Sequence, residues 1–208
     1  PFNKTALKMC GCKVESEHYL MAEEFGVAGP FGEINVVDKL MSVRVTSHIP
    51  IKEVAKTITI EKILSTIELG NTTAKTFGIR SPRIGVAALN PHCGENGKCG
   101  NEEIDVIQPA IYKAQASEID VKGPYSSDVL FIKAFNGEFD VTVTMYHDQG
   151  QIALKLVGFD RGITVSGGMP YPSATCAHGT AYDLAGKGIA KTSAFEHAVA
   201  FVSQAARV

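Results

Sequence analysis

Arg83-Ile84-Gly85-Val86-Ala87-Ala88-Leu89 is a short, almost wholly apolar run, and the stretch that follows it, Asn90 to Gly100, is rich in Gly, Asn and Pro. A strand with one wet face alternates apolar and polar residues, whereas a strand covered on both faces has no reason to alternate. The run therefore reads as a buried strand of a parallel sheet that opens into a loop. Upstream, Val43-Arg44-Val45-Thr46-Ser47 is β-branched and alternating, and Pro50 closes it. Ile51 to Phe77 has helical apolar spacing, and the β-branched run Thr57 to Ile60 predicts a break into two helices. Downstream, Asn101 is placed to cap a helix whose first residues, Glu102 and Glu103, suit the positive end of its dipole. Phe139 to Tyr146 is another β-branched strand, ending in His147-Asp148-Gln149-Gly150, and Gly162 to Ser166 is a further one. Ser193 to Arg207 reads as an amphipathic helix with Ser193 as its cap. This alternation predicts an α/β protein with a mainly parallel sheet, in which functional loops lie at the carboxyl ends of strands.

The 208 residues are 45% hydrophobic and 20% charged with a net charge of −2, an ordinary globular balance with no electrostatic footprint for nucleic acid or anionic membrane. No apolar run approaches the roughly 20 residues of a membrane-spanning helix. Cys10, Cys12, Cys93, Cys99 and Cys176 form no CxxC pair, and an odd count in a chain this long is not a disulfide framework. Reduced thiols in a cytoplasmic protein are expected, and no secretory leader is recognised from Pro1 onward.

Among six histidines, His48, His92 and His147 each stand just after an expected strand. If those strands are parallel, the three imidazoles share one edge of the sheet, where they suit a divalent metal with an open position. Surface loop histidines with capping roles are the competing reading. Spacing alone leaves the choice open, because there is no compact HExxH signal.

Local motifs carry more. Asn90-Pro91-His92-Cys93-Gly94-Glu95 with Glu102-Glu103 downstream, Met145-Tyr146-His147-Asp148-Gln149-Gly150, Val45-Thr46-Ser47-His48-Ile49-Pro50, and Pro1-Phe2-Asn3-Lys4-Thr5-Ala6-Leu7 run through the chain in that family's order. Together they resemble the 4-hydroxythreonine-4-phosphate dehydrogenase family, of the pyridoxal phosphate biosynthesis type. The resemblance implies an isocitrate/isopropylmalate dehydrogenase-like fold and a metal site of His48, His92 and His147. One divalent ion per subunit is implied, zinc ahead of magnesium or cobalt, shared across the interface of an obligatory homodimer. It also implies catalytic roles for Asp148, Lys155 and Asp128. Asp148 adjoins a ligand and can relay a proton, and Lys155 can hold an acidic group. Asp128 reads equally as a first-turn helix residue after Ser126-Ser127.

His178-Gly179-Thr180-Ala181, followed by Tyr182-Asp183-Leu184-Ala185-Gly186-Lys187-Gly188, is similar to the adenosine-binding loop of the wider isocitrate and isopropylmalate dehydrogenase superfamily. The resemblance assigns His178, Gly179, Thr180 and Ala181 to NAD or NADP, without the GxGxxG of a Rossmann site. It divides the chain into a remnant of the cofactor domain (1–10), a metal- and substrate-binding, dimerising domain (11–170) and a C-terminal return (171–208). The family's chains are longer, and the additional part lies before Pro1. Substrate recognition departs from the family pattern: Ser173 stands where an Arg is usual, Thr164 where an Asn is usual, and Glu15-Ser16-Glu17-His18 does not reproduce the GHTE motif, leaving His18 as a substrate-binding candidate. Loss of a bidentate clamp predicts a substrate other than 4-hydroxythreonine 4-phosphate, with a hydroxylated carboxylic acid favoured. The expected activity is a metal-dependent NAD(P) dehydrogenase acting on a small hydroxy acid or its phosphate, with or without decarboxylation. Dehydrogenases of cis-dihydrodiol carboxylates or acid-sugar phosphates, and a non-catalytic metal-binding remnant, are the alternatives.

Overall fold

The computed structural model describes residues 3–14 and 16–205. Pro1 and Phe2 of the N-terminal motif, Glu15, and the last residues of the expected C-terminal helix lie outside the described residues. In chain order the elements are α1 (Lys4–Met9), α2 (Glu17–Glu24), β1 (Gly32–Val37), β2 (Leu40–Arg44), α3 (Ile51–Thr57), α4 (Ile60–Thr76), β3 (Ile84–Ala87), α5 (Gln108–Ala116), β4 (Val121–Tyr125), α6 (Ser127–Phe135), β5 (Val141–Thr144), α7 (His147–Gly158), β6 (Ile163–Gly167), β7 (Ala174–Cys176) and α8 (Ser193–Ala205). One sheet has the order β4-β3-β5-β2-β1-β6-β7. The pairs β4/β3, β3/β5 and β5/β2 are parallel, and β2/β1, β1/β6 and β6/β7 are antiparallel. Since β1 runs against both of its neighbours, β2 through β6 all point the same way, giving a mixed but mainly parallel α/β sheet. The expected division between residues 170 and 171 falls inside this sheet, between β6 and β7.

The two faces differ in chemistry. On one face Ile34, Val36, Met41, Val43, Ile84, Val86, Val141, Val143, Ile163 and Val165 pack with Ile63 and Ile67 of α4, Ile111 of α5 and Ala198 of α8. Every one of these side chains is almost fully buried, so this layer supplies most of the apolar burial. On the other face, Leu130, Phe131 and Ala134 of α6 and Leu154 of α7 cover Val37, Leu40 and Ala87. Between them the middle of that face is polar: Ser42, Thr142 and Thr144 are buried under α7. Gly150 lets α7 approach this strip, since a Cβ there would stand 3.1 Å from Ser42 Oγ and 3.3 Å from Thr144 Oγ1.

The break expected between Thr57 and Ile60 is present, and Thr59 caps α4 by accepting from the Lys62 N–H. Three expectations are corrected. The strand expected at 43–47 is β2 at Leu40–Arg44: antiparallel β1 sets its start, and beyond Arg44 the chain turns away from β1 while the N–H groups of Val45 and Thr46 still donate to the carbonyls of Thr144 and Met145 at the β5 exit. The helix after Asn101 begins with a π-helical turn, Glu103–Ile107. Ser193 does not cap α8 with its side chain: its hydroxyl donates to the Asp160 carbonyl, tying the helix to the turn before β6. Among the described residues no helix is long and apolar enough to cross a membrane, and all five cysteines are unpaired.

At the entry to β3 the Asp140 carboxylate accepts from the Arg83 backbone N–H (2.9 Å), Nε (3.0 Å) and Nη2 (2.9 Å). Burial pushes the Asp140 carboxyl up, and the bonds from Arg83 more than reverse that, so it lies below the usual carboxylate range. A lowered folded-state pKa stabilises the fold above the unfolded value of about 4 and loses that contribution as pH falls through the folded value. Asp140→Asn should therefore lower the melting temperature at pH 7 and leave it nearly unchanged at pH 2. Thermal scans across that range check this, and an equal loss at both ends would contradict it.

Candidate active site

Parallel pairing of β3, β5 and β2 brings their carboxyl ends to one edge of the sheet; the segments leaving β3 and β2 there carry His92 and His48, and His147 opens α7 just beyond β5. The rings of His48 and His147 lie 5.7 Å apart between centroids. His92 sits on the loop segment Pro91–Asn96 with a side chain 71% exposed.

Each loop is fixed by backbone-directed bonds. Glu103 is 3% exposed. Its Oε1 accepts from the N–H groups of Leu89 (2.8 Å) and Asn90 (2.7 Å), and its Oε2 accepts from Asn90 Nδ2 (3.0 Å). Gly94 has φ +74°, and a Cβ there would stand 2.7 Å from Glu103 Oε2, so the turn beneath His92 requires glycine. The Thr46 hydroxyl donates to the Met145 carbonyl (2.8 Å), joining the His48 loop to the His147 loop. Gln149 accepts from the Met145 N–H (2.6 Å) and donates to the Ala88 carbonyl (2.6 Å) and Ser127 Oγ (2.7 Å), binding the ends of β5 and β3 to the start of α6. The motif residues around the histidines thus hold the loops in place.

Two imidazoles are also oriented. His147 Nδ1 lies 2.7 Å from Asp148 Oδ1, and His92 Nδ1 lies 3.0 Å from Glu95 Oε1. A carboxylate on Nδ1 sets the tautomer and leaves Nε2 to act as a ligand. Cys93 points elsewhere: its thiol donates to the Pro124 carbonyl (3.5 Å), and burial, then the charges of Glu103 and Asp128, push its pKa up. Asp128 is exposed in the first turn of α6, on the Cys93 side of the site.

The remaining candidates occupy two flanks. Lys155 of α7 and His178 line one small recess together with Asn35 and Gln151. His178 Nδ1 is 2.8 Å from the Gly179 carbonyl, Gly179 has open space where a Cβ would stand, and Ala181 has φ +46°. Thr180 is half-buried and Ser173 is half-buried, its carbonyl accepting from the Ser166 N–H (3.0 Å). On the other flank a cavity of about 690 Å³ is lined by His18, Glu33, Arg44, Thr46, Ser47 and His48, among others. His18 is buried, with Nδ1 2.7 Å from Ser16 Oγ and 3.4 Å from Glu33 Oε1. Among the described residues the one group that brings three ligand atoms within 4.8 Å of one another is Glu17, His18 and Glu33. His92 does not join His48 and His147 at that range within a single chain.

The sequence reading missed a network on the polar face. Arg44 donates from Nη2 to Glu33 Oε2 (2.6 Å), from Nη1 to Asn35 Oδ1 (2.5 Å) and from Nε to Ser47 Oγ (2.9 Å). Asn35 Oδ1 also accepts from Gln151 Nε2 (2.6 Å), and Asn35 Nδ2 donates to Thr164 Oγ1 (3.1 Å). Burial lowers the Arg44 pKa, and Glu33 raises it by less. The sequence signal was available: Arg44 alternates with apolar Val43 and Val45 in a strand expected to be buried.

Three histidines at the carboxyl edge of a mainly parallel sheet, two of them with Nδ1 held by carboxylates, stand where α/β enzymes carry their functional loops. The profile of the pyridoxal phosphate biosynthetic protein PdxA matches residues 1–202, and the chain belongs to that family. Over 207 residues it is 44% identical to a Rhizobium meliloti protein provisionally named 4-hydroxythreonine-4-phosphate dehydrogenase 2, covering 100% of this chain and 60% of that one. It is 36% identical over 206 residues to the D-threonate 4-phosphate dehydrogenase of Salmonella typhimurium, covering 99% of this chain and 63% of the relative. A crystal structure of the Klebsiella pneumoniae 4-hydroxythreonine-4-phosphate dehydrogenase superposes with a TM-score of 0.86 at 33% identity, over 97% of this chain and 63% of that one. The chain thus spans about 60% of the length of these relatives.

Removing the Glu103 carboxylate strands two backbone N–H groups at the root of the His92 loop. Glu103→Ala is expected to cost about 2–5 kcal/mol in urea unfolding. Glu102→Ala, which loses only the bond from Asn90 Nδ2 (2.7 Å), should cost well under half as much. Equal costs would show that the carboxylate of Glu103 is not the anchor.

Proposed function

We propose that the chain is the larger part of a divalent-metal-requiring NAD(P) dehydrogenase that oxidises the carbinol of a small phosphorylated hydroxy acid. The observation that carries this reading is the placement of His48, His92 and His147 just beyond the carboxyl ends of three adjacent parallel strands in a member of the PdxA family. The names of the two relatives, dehydrogenases of 4-hydroxythreonine 4-phosphate and D-threonate 4-phosphate, support the substrate class.

The three imidazoles form a neutral nitrogen donor set of the kind zinc prefers, with magnesium and cobalt as alternatives. A divalent ion there supplies a Lewis acid that lowers the pKa of a substrate hydroxyl, and a nicotinamide nucleotide supplies the hydride acceptor. Asp148 adjoins the site and accepts the hydroxyl proton, while its bond to His147 Nδ1 fixes that ring. Lys155 holds an acidic group of the substrate as a point charge. Asp128 lies beside the His92 loop, where it helps position the substrate. The open backbone at Gly179, next to His178 and followed by Thr180 and Ala181, suits close approach of the nucleotide.

The reading includes a homodimer. Leu156 of α7 and Phe159 just beyond it are 82% and 73% exposed, and Val129 and Ile132 of α6 are exposed as well. A second copy covering these side chains would remove them from water, and the exposed His92 is left open to a partner's residues. Residues 11–170 then carry metal, substrate and dimer contacts, with 1–10 and 171–208 belonging to the cofactor-binding part. Five unpaired cysteines suit a reducing cytoplasm.

In the full-length protein, His48→Ala, His92→Ala and His147→Ala should each abolish stoichiometric zinc, whereas Cys93→Ala should retain it. Metal analysis after gel filtration decides this, and zinc retained in any of the histidine variants removes that residue from the site. Mixing two inactive histidine variants from opposite sides of the interface should restore part of the activity. With Ser173 and Thr164 at the positions of the usual clamp, kcat/KM for D-threonate 4-phosphate should exceed that for 4-hydroxythreonine 4-phosphate. The reverse order would remove the inference drawn from Ser173.

A further inference from the structure

Arg44 is a buried cation to which the reading above gives no role. It ends β2, four residues before His48, and its side chain is 8% exposed. Its bonds to Ser47, Asn35 and Glu33 use three of the five N–H donors of a guanidinium, leaving two. The fork is held from two directions. Glu33 takes one arm, and Asn35, itself held by Gln151 and Thr164, takes another. An arginine serving only to pair Glu33 would need no cavity before it. This one lines the 690 Å³ cavity beside His48 and also a narrow recess beside His147 and Gln151. Its burial is not fully offset by Glu33, so a second anion would be favoured there.

We propose that Arg44 binds the carboxylate of the hydroxy-acid substrate, in the part of the cavity next to His48. The proposal rests on the dehydrogenase reading of this site. A fixed planar fork matches a planar carboxylate. Arg44 borders both His48 and His147, so a carboxylate held on its fork lies within a few bonds of the carbinol that those histidines would serve. Lys155 lines the recess on the His178 side, away from the large cavity, and is left for the phosphate. Thr164 and Ser173 carry no charge, so neither can take the carboxylate as an ion pair. Arg44 is thus a specificity-determining residue supplied by β2.

The test uses the full-length, zinc-loaded protein and two probes, D-threonate 4-phosphate and its carboxamide, D-threonamide 4-phosphate. Binding is measured by calorimetry without nucleotide, so that no turnover occurs. Wild type should bind the acid roughly tenfold to a hundredfold more tightly than the amide, the range for loss of a charge-assisted pair. Arg44→Met should bring the two probes to within about threefold of each other. Arg44→Lys retains a counter-charge for Glu33 and so guards against misfolding; it should keep only part of the discrimination, because a point charge replaces the fork. A folded Arg44→Met or Arg44→Lys protein with the full wild-type ratio overturns the proposal, as does a wild type that does not distinguish acid from amide. Turnover with NAD on the same samples separates this from the broader reading. Arg44-dependent discrimination without turnover would sink the dehydrogenase and leave the carboxylate site. Turnover with a ratio indifferent to Arg44 would do the reverse.

Discussion

The parallel hydrogen bonding of β3, β5 and β2 is the constraint on which the rest of the molecule depends. Antiparallel neighbours deliver successive chain exits to opposite edges, whereas these three strands deliver theirs to one. Parallel strands need long crossovers, and α3 with α4, and α5 through α6, provide them. The crossovers cover both faces, which is why β3 and β5 are buried throughout and why their sequences do not alternate between apolar and exposed polar residues. His48 and His92 leave this edge, and His147 and Asp148 open α7 directly above it.

A shared edge brings loops near one another without fixing them. The fixing is done by side chains that bond to backbone. Glu103 holds the root of the His92 loop, Thr46 holds the His48 loop to Met145, and Gln149 reaches from α7 to both β5 and β3. These bonds run between elements far apart in sequence, so they form only when the sheet has its final register. Placement of the segments that carry the three imidazoles is therefore coupled to completion of the fold.

Strand and helix identity was largely legible in the sequence, because buried parallel strands leave apolar runs and α4 leaves a clear helical spacing. What escaped was set by partners distant in sequence. β1 is short and half polar, with Glu33 and Asn35 on one face, and nothing local marks it as a strand; its pairing with β2 and β6 does. The same pairing moved the start of β2 back to Leu40. Motif residues beside the histidines were legible as a set, yet their individual tasks were not. Asp148 reads from sequence as a proton relay, and the fold also makes it the carboxylate that orients His147.

The polar strip under α7 shows why such positions are hard to read locally. Apolar residues at 35, 42, 44, 142 and 144 would bury more hydrocarbon, and a buried polar group left unpaired costs about 1–3 kcal/mol. Here the penalty is mostly avoided by pairing: Thr142 and Thr144 donate to the carbonyls of Met41 and Val43, and Asn35 is shared by Arg44, Gln151 and Thr164. Among the described residues the buried side-chain atoms with no partner are Glu17 Oε2 and Thr73 Oγ1. The first of these sits with His18 and Glu33, in the segment where the expected GHTE motif fails. The strip under α7 holds neither of these atoms, which belong to α2 and α4, so its polar residues cost the fold little despite their burial: each exchange of water for protein partners offsets most of the desolvation.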